Sequence, residues 1–126
     1  MSKKNKHVSA NLYKRYEKLL NNDNKYPDWY WKRGLHDAEI LSIDYDYAKL
    51  VLTLNSNNAI YERVNKIIFR EYKIMHIPED MKKIWWMCDK LDNQEETYTL
   101  KINVVDDNNN DDTIVIQFQK IEVIRP

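Results

Sequence analysis

A chain of 126 residues and 15.3 kDa is long enough to bury one core without disulfides or a metal staple. Its 20 cationic and 20 anionic side chains balance, yet residues 1–33 carry nine Lys or Arg against only Glu17, Asp23 and Asp28, which leaves residues 34–126 net acidic by six. A basic front on an acidic body argues against a whole-surface nucleic-acid field, one cysteine excludes an intramolecular disulfide, and no apolar run reaches membrane-spanning length.

The chain reads as a single domain, 1–126. Lys3, Lys4 and Lys6 make residues 1–7 a basic, disordered tail, with no apolar signal core behind it. Together with a lone thiol suited to a reducing compartment, this sets the expectation of a cytoplasmic protein with no membrane partner. Over residues 8–22 the apolar positions Val8, Leu12, Tyr16, Leu19 and Leu20 recur at three- and four-residue steps, with Lys14, Arg15 and Lys18 opposite. This spacing predicts one amphipathic helix, capped by Ser9 and stopped by Asn21-Asn22-Asp23-Asn24, whose side chains compete for backbone hydrogen bonds. Tyr26-Pro27-Asp28 reads as a turn, and Trp29-Tyr30-Trp31 as an aromatic plug for a core.

At Gly34, the chain's only glycine, the apolar period changes from about 3.6 to 2. Sheet is expected over residues 34–124. Ala38 to Tyr45 and Leu50 to Leu54 flank a short polar connection and predict a hairpin. A third strand runs from Asn65 to Met75 with Ile67 and Phe69 inward, and Pro78 ends it because proline cannot donate to a ladder. Glu79 or Asp80 is expected to cap a short helical turn at Met81 to Ile84. Ile84 to Leu91 predicts a fourth strand, Tyr98 to Val104 a fifth, and Thr113 opens a sixth behind the acidic loop 106–112. In that sixth strand Ile114, Ile116 and Phe118 share a parity that Ile121 and Val123 do not, so a β-bulge is expected near Gln119-Lys120.

The run Gly34-Leu35-His36-Asp37-Ala38-Glu39-Ile40-Leu41-Ser42-Ile43, then Leu52-Thr53-Leu54, Ile77-Pro78-Glu79-Asp80 and an aromatic strand through Trp86 and Asp89 resembles the C-terminal region of a bacterial family of unknown function. That family carries a Leu-His-Asp strand opening, an Ile-Pro-Glu-Asp turn and a Trp-containing strand in this order. The resemblance covers residues 34–124. It departs at residues 1–33, which do not match the family's longer N-terminal region, and at Lys90, where an acidic residue is commoner. It implies a fold and carries no activity with it.

His36 and Asp37 are the chain's one plausible polar constellation. They could serve as an acid/base pair or ligand-binding residues, but neighbours on a regular strand point to opposite faces. The alternative is that both satisfy backbone groups around Gly34. His76, near Glu79 and Asp80, could add a further ligand-binding group, although polar residues beside proline are ordinary turn chemistry. No Cys or His spacing builds a metal site, and a single glycine cannot build a phosphate-binding loop, dinucleotide fingerprint or nucleophile elbow, so no cofactor is expected. Cys88 is expected to be a buried apolar residue. Of Trp29 and Trp31, and of Trp85 and Trp86, at least one of each pair is expected in the core. The exposed member of Trp85/Trp86, bordered by Asp106, Asp107, Asp111 and Asp112, is the candidate interface.

These readings converge on an α+β domain: one N-terminal helix packed on a twisted, mainly antiparallel meander sheet of about six strands. The expected function is a small protein-interaction or regulatory module of immunity type, binding a basic protein partner or a second copy of itself. The rival is a hydrolase or small-ligand binder with His36, Asp37 and His76 in a pocket at one end of the sheet.

Overall fold

A computed structural model describes residues 26–79 and 83–126. The helix expected over 8–22 and the tail over 1–7 lie outside the described residues, as do Met81 and Lys82 of the short helical turn expected at Met81 to Ile84, whose last residue opens a strand instead. The chain divides into two compact units, Met1–Lys32 and Arg33–Pro126. In the first, the turn expected at Pro27 forms, with the Tyr30 amide donating to the Pro27 carbonyl at 3.1 Å. Its aromatic rings pack on one another: Tyr26 stacks on Tyr30 with centroids 5.0 Å apart, and Trp31 lies 5.2 Å from Tyr30 and 5.9 Å from Trp29.

The second unit holds six antiparallel strands: β1 (Glu39–Tyr45), β2 (Lys49–Asn55), β3 (Lys66–His76), β4 (Ile84–Gln94), β5 (Thr97–Asp106) and β6 (Asp111–Ile124). Two meanders, β1-β2-β3 and β4-β5-β6, join along β3–β6 and along β1–β4, so the sheet closes into a barrel in the order β1-β2-β3-β6-β5-β4. Closure satisfies edges that an open sheet would leave unpaired. The β1–β4 ladder is short, with only Glu39↔Trp85 and Ile40↔Ile84 in register.

Alternation decides what fills the barrel. Leu50, Leu52, Ile67, Phe69, Leu100, Ile102, Ile114 and Ile116 are fully buried, as the period-2 pattern predicts, and Phe69 and Phe118 meet edge to face at 4.9 Å. Burying each such side chain contributes about 1.5–3 kcal/mol. The change of phase in β6 is present, but the single-residue bulge expected near Gln119-Lys120 is not, because the phase changes at the same point in the paired strand β3. Phe69 pairs with Ile121, Arg70 with Lys120, and then Tyr72 with Phe118, so Glu71 and Gln119 together drop out of alternation and the register survives the bend. Glu71 carries the distortion with φ 51°.

Three bulges do occur elsewhere, and none of them was legible as a parity break. Register shifts fall between Ile40 and Ser42, between Ile74 and His76, and between Trp86 and Cys88. The last one corrects the expected burial of Cys88. With Met87 as the extra residue, Trp86 points into the barrel while Cys88 turns outward opposite Asn103, whose amide donates to the thiol at 3.0 Å, and Cys88 is exposed.

Candidate functional site

The short β1–β4 seam is where most of the sequence-predicted polar and aromatic candidates meet. The backbone of residues 33–38 turns into β1 through His36 N–H to the Arg33 carbonyl (3.4 Å) and Ala38 N–H to the Leu35 carbonyl (2.9 Å). Arg33 and Asp37 take positive φ, both 73°, whereas Gly34 does not. Instead the glycine is buried and its carbonyl accepts from two amides, Tyr61 and Glu62, each at 3.1 Å. A residue without a Cβ permits this close approach of a second backbone.

The seam extends past its two ladder pairs through backbone bonds. Asp37 N–H donates to the Trp86 carbonyl at 2.8 Å, and Trp86 N–H donates to the Ala38 carbonyl at 2.8 Å. His36 adds a side-chain clasp, its Nδ1 bonding the Met87 carbonyl. Its Nε2 lies 3.6 Å from Asp37 Oδ1. One ring nitrogen of His36 is therefore committed to the fold, and the positive φ of Asp37 breaks the strand geometry that would send the two side chains to opposite faces.

The pair Trp85/Trp86 splits as alternation requires. Trp86 is fully buried, and its indole N–H donates to Asp89 Oδ1 at 2.9 Å across the Met87 bulge. Trp85 is half-buried on the outer face, in a row that runs from Glu39 through Trp85 and Val105 to Asp111. Beside it opens a shallow depression of about 500 Å³. Trp85, Met87 and Val105 supply its apolar surface, and Asp37, Asp106 and Asp107 supply its carboxylates. No Lys or Arg is among the described residues that line it.

The four aspartates of the acidic loop region do different work. Asp106 Oδ1 accepts from the amides of Asn108 and Asn110, both at 2.9 Å, while Oδ2 accepts from the Asn110 side chain at 3.1 Å. Those bonds, the Asn110 amide first, hold its carboxyl below the usual aspartate range. Asp106 thus shapes the β5–β6 turn, and exposed Asp107 follows it on that turn. Asp111 stands in the Trp85 row beyond Val105. Asp112 accepts from the Thr113 amide at 2.7 Å and meets His76 Nε2 at 2.8 Å. The Thr113 amide, then His76, lowers its carboxyl below the ordinary value.

His76 is therefore engaged with Asp112 on β6 and is not among the residues that line the depression with Asp37. Among the described residues no group of three or more His, Cys, Asp or Glu stands where it could hold a metal ion, and no helix is long and apolar enough to cross a membrane. Sequence reasoning missed Asn58, Met87, Val105 and Asn109 as lining residues. Asn58 arrives on the loop between β2 and β3, which is tied to the seam by Ile60 N–H donating to the His36 carbonyl at 3.2 Å. That loop is internally braced by Ser56, whose buried hydroxyl accepts from the Val64 amide at 2.8 Å. No local pattern signals a long-range pairing of this kind.

In comparisons with known proteins, no family model, no curated protein and no solved structure matches the chain.

Proposed function

We propose that this chain is a protein-interaction module that docks a basic partner on the outer face of β4 and β5 around Trp85. The observation that carries the reading is the seam depression, in which an aromatic ring and two apolar side chains sit among three carboxylates with no lining cation. A partly exposed indole excludes much water while losing little conformational freedom, so it is suited to anchor a partner. Carboxylates at a rim that no Lys or Arg lines favour cationic partners and accelerate their encounter. The net acidity of residues 34–126 acts in the same direction at longer range. A small acidic domain that masks a basic surface of its partner is the physical form an immunity-type or regulatory role takes here.

The test is a binding measurement on a partner isolated with the full chain. Trp85→Ala is expected to raise the off-rate by about tenfold or more, as loss of an anchor does. Asp37→Asn with Asp107→Asn is expected to slow association and flatten its salt dependence. A partner whose binding responds to neither change docks elsewhere and overturns the reading.

A further inference from the structure

The chemistry of the depression is specific enough to name the group it receives. Resting on the docking face argued above, we propose that it binds one guanidinium group, an arginine side chain of the partner laid against the indole of Trp85 between the carboxylates of Asp37 and Asp107.

Three observations lead there. Strand β4 lies between β1 and β5, so Trp85 is flanked by Glu39 on one side and Val105 on the other. Asp37 comes from the turn that precedes β1, and Asp107 from the turn that follows β5. The two residues therefore reach the depression from elements on opposite sides of β4. Asp106, although it lines the same depression, has both oxygens occupied by amides of its own turn. Asp37 is likewise held in place, its amide bonded to the Trp86 carbonyl, while its side chain remains 55% exposed.

A planar, weakly hydrated cation suits a site with an aromatic wall and carboxylates at two edges. Guanidinium stacks on indole and still presents N–H donors at its rim, whereas the ammonium of lysine is a compact, strongly hydrated charge that cannot do both. The depression, at about 500 Å³ and open to solvent, also leaves room for the backbone that carries the arginine.

The experiment uses the full-length chain and three short capped peptides that differ at one central residue, arginine, lysine or citrulline. Citrulline keeps the planar shape and removes the charge. Chemical shifts are followed for the Trp85 indole N–H, assigned by loss of its signal in Trp85→Phe, and for the amides of Asp37 and Asp107. The arginine peptide is expected to move all three and to bind about fivefold or more tighter than either analogue, as a stacked, charge-paired cation does. Asp37→Asn and Asp107→Asn are each expected to weaken it severalfold while leaving the dispersion of the remaining amide signals unchanged. Equal binding of citrulline or lysine, or shifts confined to other parts of the barrel, would overturn the assignment. If the isolated protein partner still depends on Trp85 while the arginine peptide shows no preference, the docking face stands and the guanidinium assignment falls. If neither partner nor peptide responds to Trp85→Ala, both fall.

Discussion

Asp37 belongs both to the turn that leads into β1 and to the lining of the seam depression. Its φ of 73° lies in the left-handed region, which aspartate tolerates better than most residues with a Cβ. Glycine at this position is expected to leave stability within about 0.5 kcal/mol, whereas Asp37→Ala should cost about 1 kcal/mol, because alanine has the Cβ penalty without a polar group to offset it. Urea denaturation of Asp37→Gly and Asp37→Ala measures both, and equal losses would mean that the carboxylate, not the backbone, matters to the turn. Glu95, the first residue of the two-residue β4–β5 connection, has φ 59°. Glu95→Gly is expected to raise stability by about 0.5–1 kcal/mol, read as a higher urea midpoint. The singular glycine drew attention to residues 34–37 in the sequence, but for an incomplete reason. Its flanking residues take the unusual backbone angles, and Gly34 itself makes room for the chain at Tyr61 and Glu62.

At the scale of strands, alternation predicts the inner face wherever the register is unbroken. Leu52→Ala, Ile67→Ala and Phe69→Ala are each expected to cost about 2–5 kcal/mol, since these side chains are fully buried among other apolar groups. Lys49→Ala and Lys101→Ala, both exposed, should stay within about 0.5 kcal/mol. Similar losses in the two sets, measured by denaturant midpoints, would contradict the pairing of β2 with β3. The bulges follow a common pattern. Each of Leu41, Met75 and Met87 is the extra residue at a register shift, and they are 54%, 49% and 38% exposed. An apolar residue inserted into a strand of fixed pairing has no slot on the inner face and is turned out. This outward turn gives Met87 to the depression and takes Cys88 out of the core. A simple period-2 reading misplaces such residues because it assumes one partner for every residue.

At the scale of the whole barrel, the two meanders are long and well paired, while the β1–β4 closure rests on two ladder pairs, the backbone bonds of Asp37 and Trp86, and the His36 clasp. Turns elsewhere are held by carboxylates. Asp46 accepts from the Lys49 and Ala48 amides, which lower its carboxyl below the ordinary range, as the Asn110 and Thr113 amides do for Asp106 and Asp112. A carboxyl whose folded value is depressed favours the folded state above its unfolded value, and that contribution fades as pH falls through the folded value. The contribution of these carboxyls to thermal stability is therefore expected to be level around neutral pH, where they are ionised in both states. It should decline on acidification through and below the ordinary aspartate range. Melting curves at a series of pH values check this, and Asp46→Asn, which cannot ionise, should show a shallower acid decline than the parent chain. A parallel decline would place the acid sensitivity in other groups.

What the sequence determined by itself was local and periodic: six strands near their observed limits, the inward set from Leu50 to Phe118, the change of phase at Gln119, and the division of labour between Trp85 and Trp86. Each of these depends on alternation between neighbouring residues, which a single chain displays directly. What the tertiary structure decided was the closure of the barrel between β1 and β4, and with it the meeting of Asp37, Trp85 and Asp107, which lie far apart in the chain. That juxtaposition depends on long-range pairing and on bulges that reset the register, and neither leaves a periodic trace in the amino-acid order.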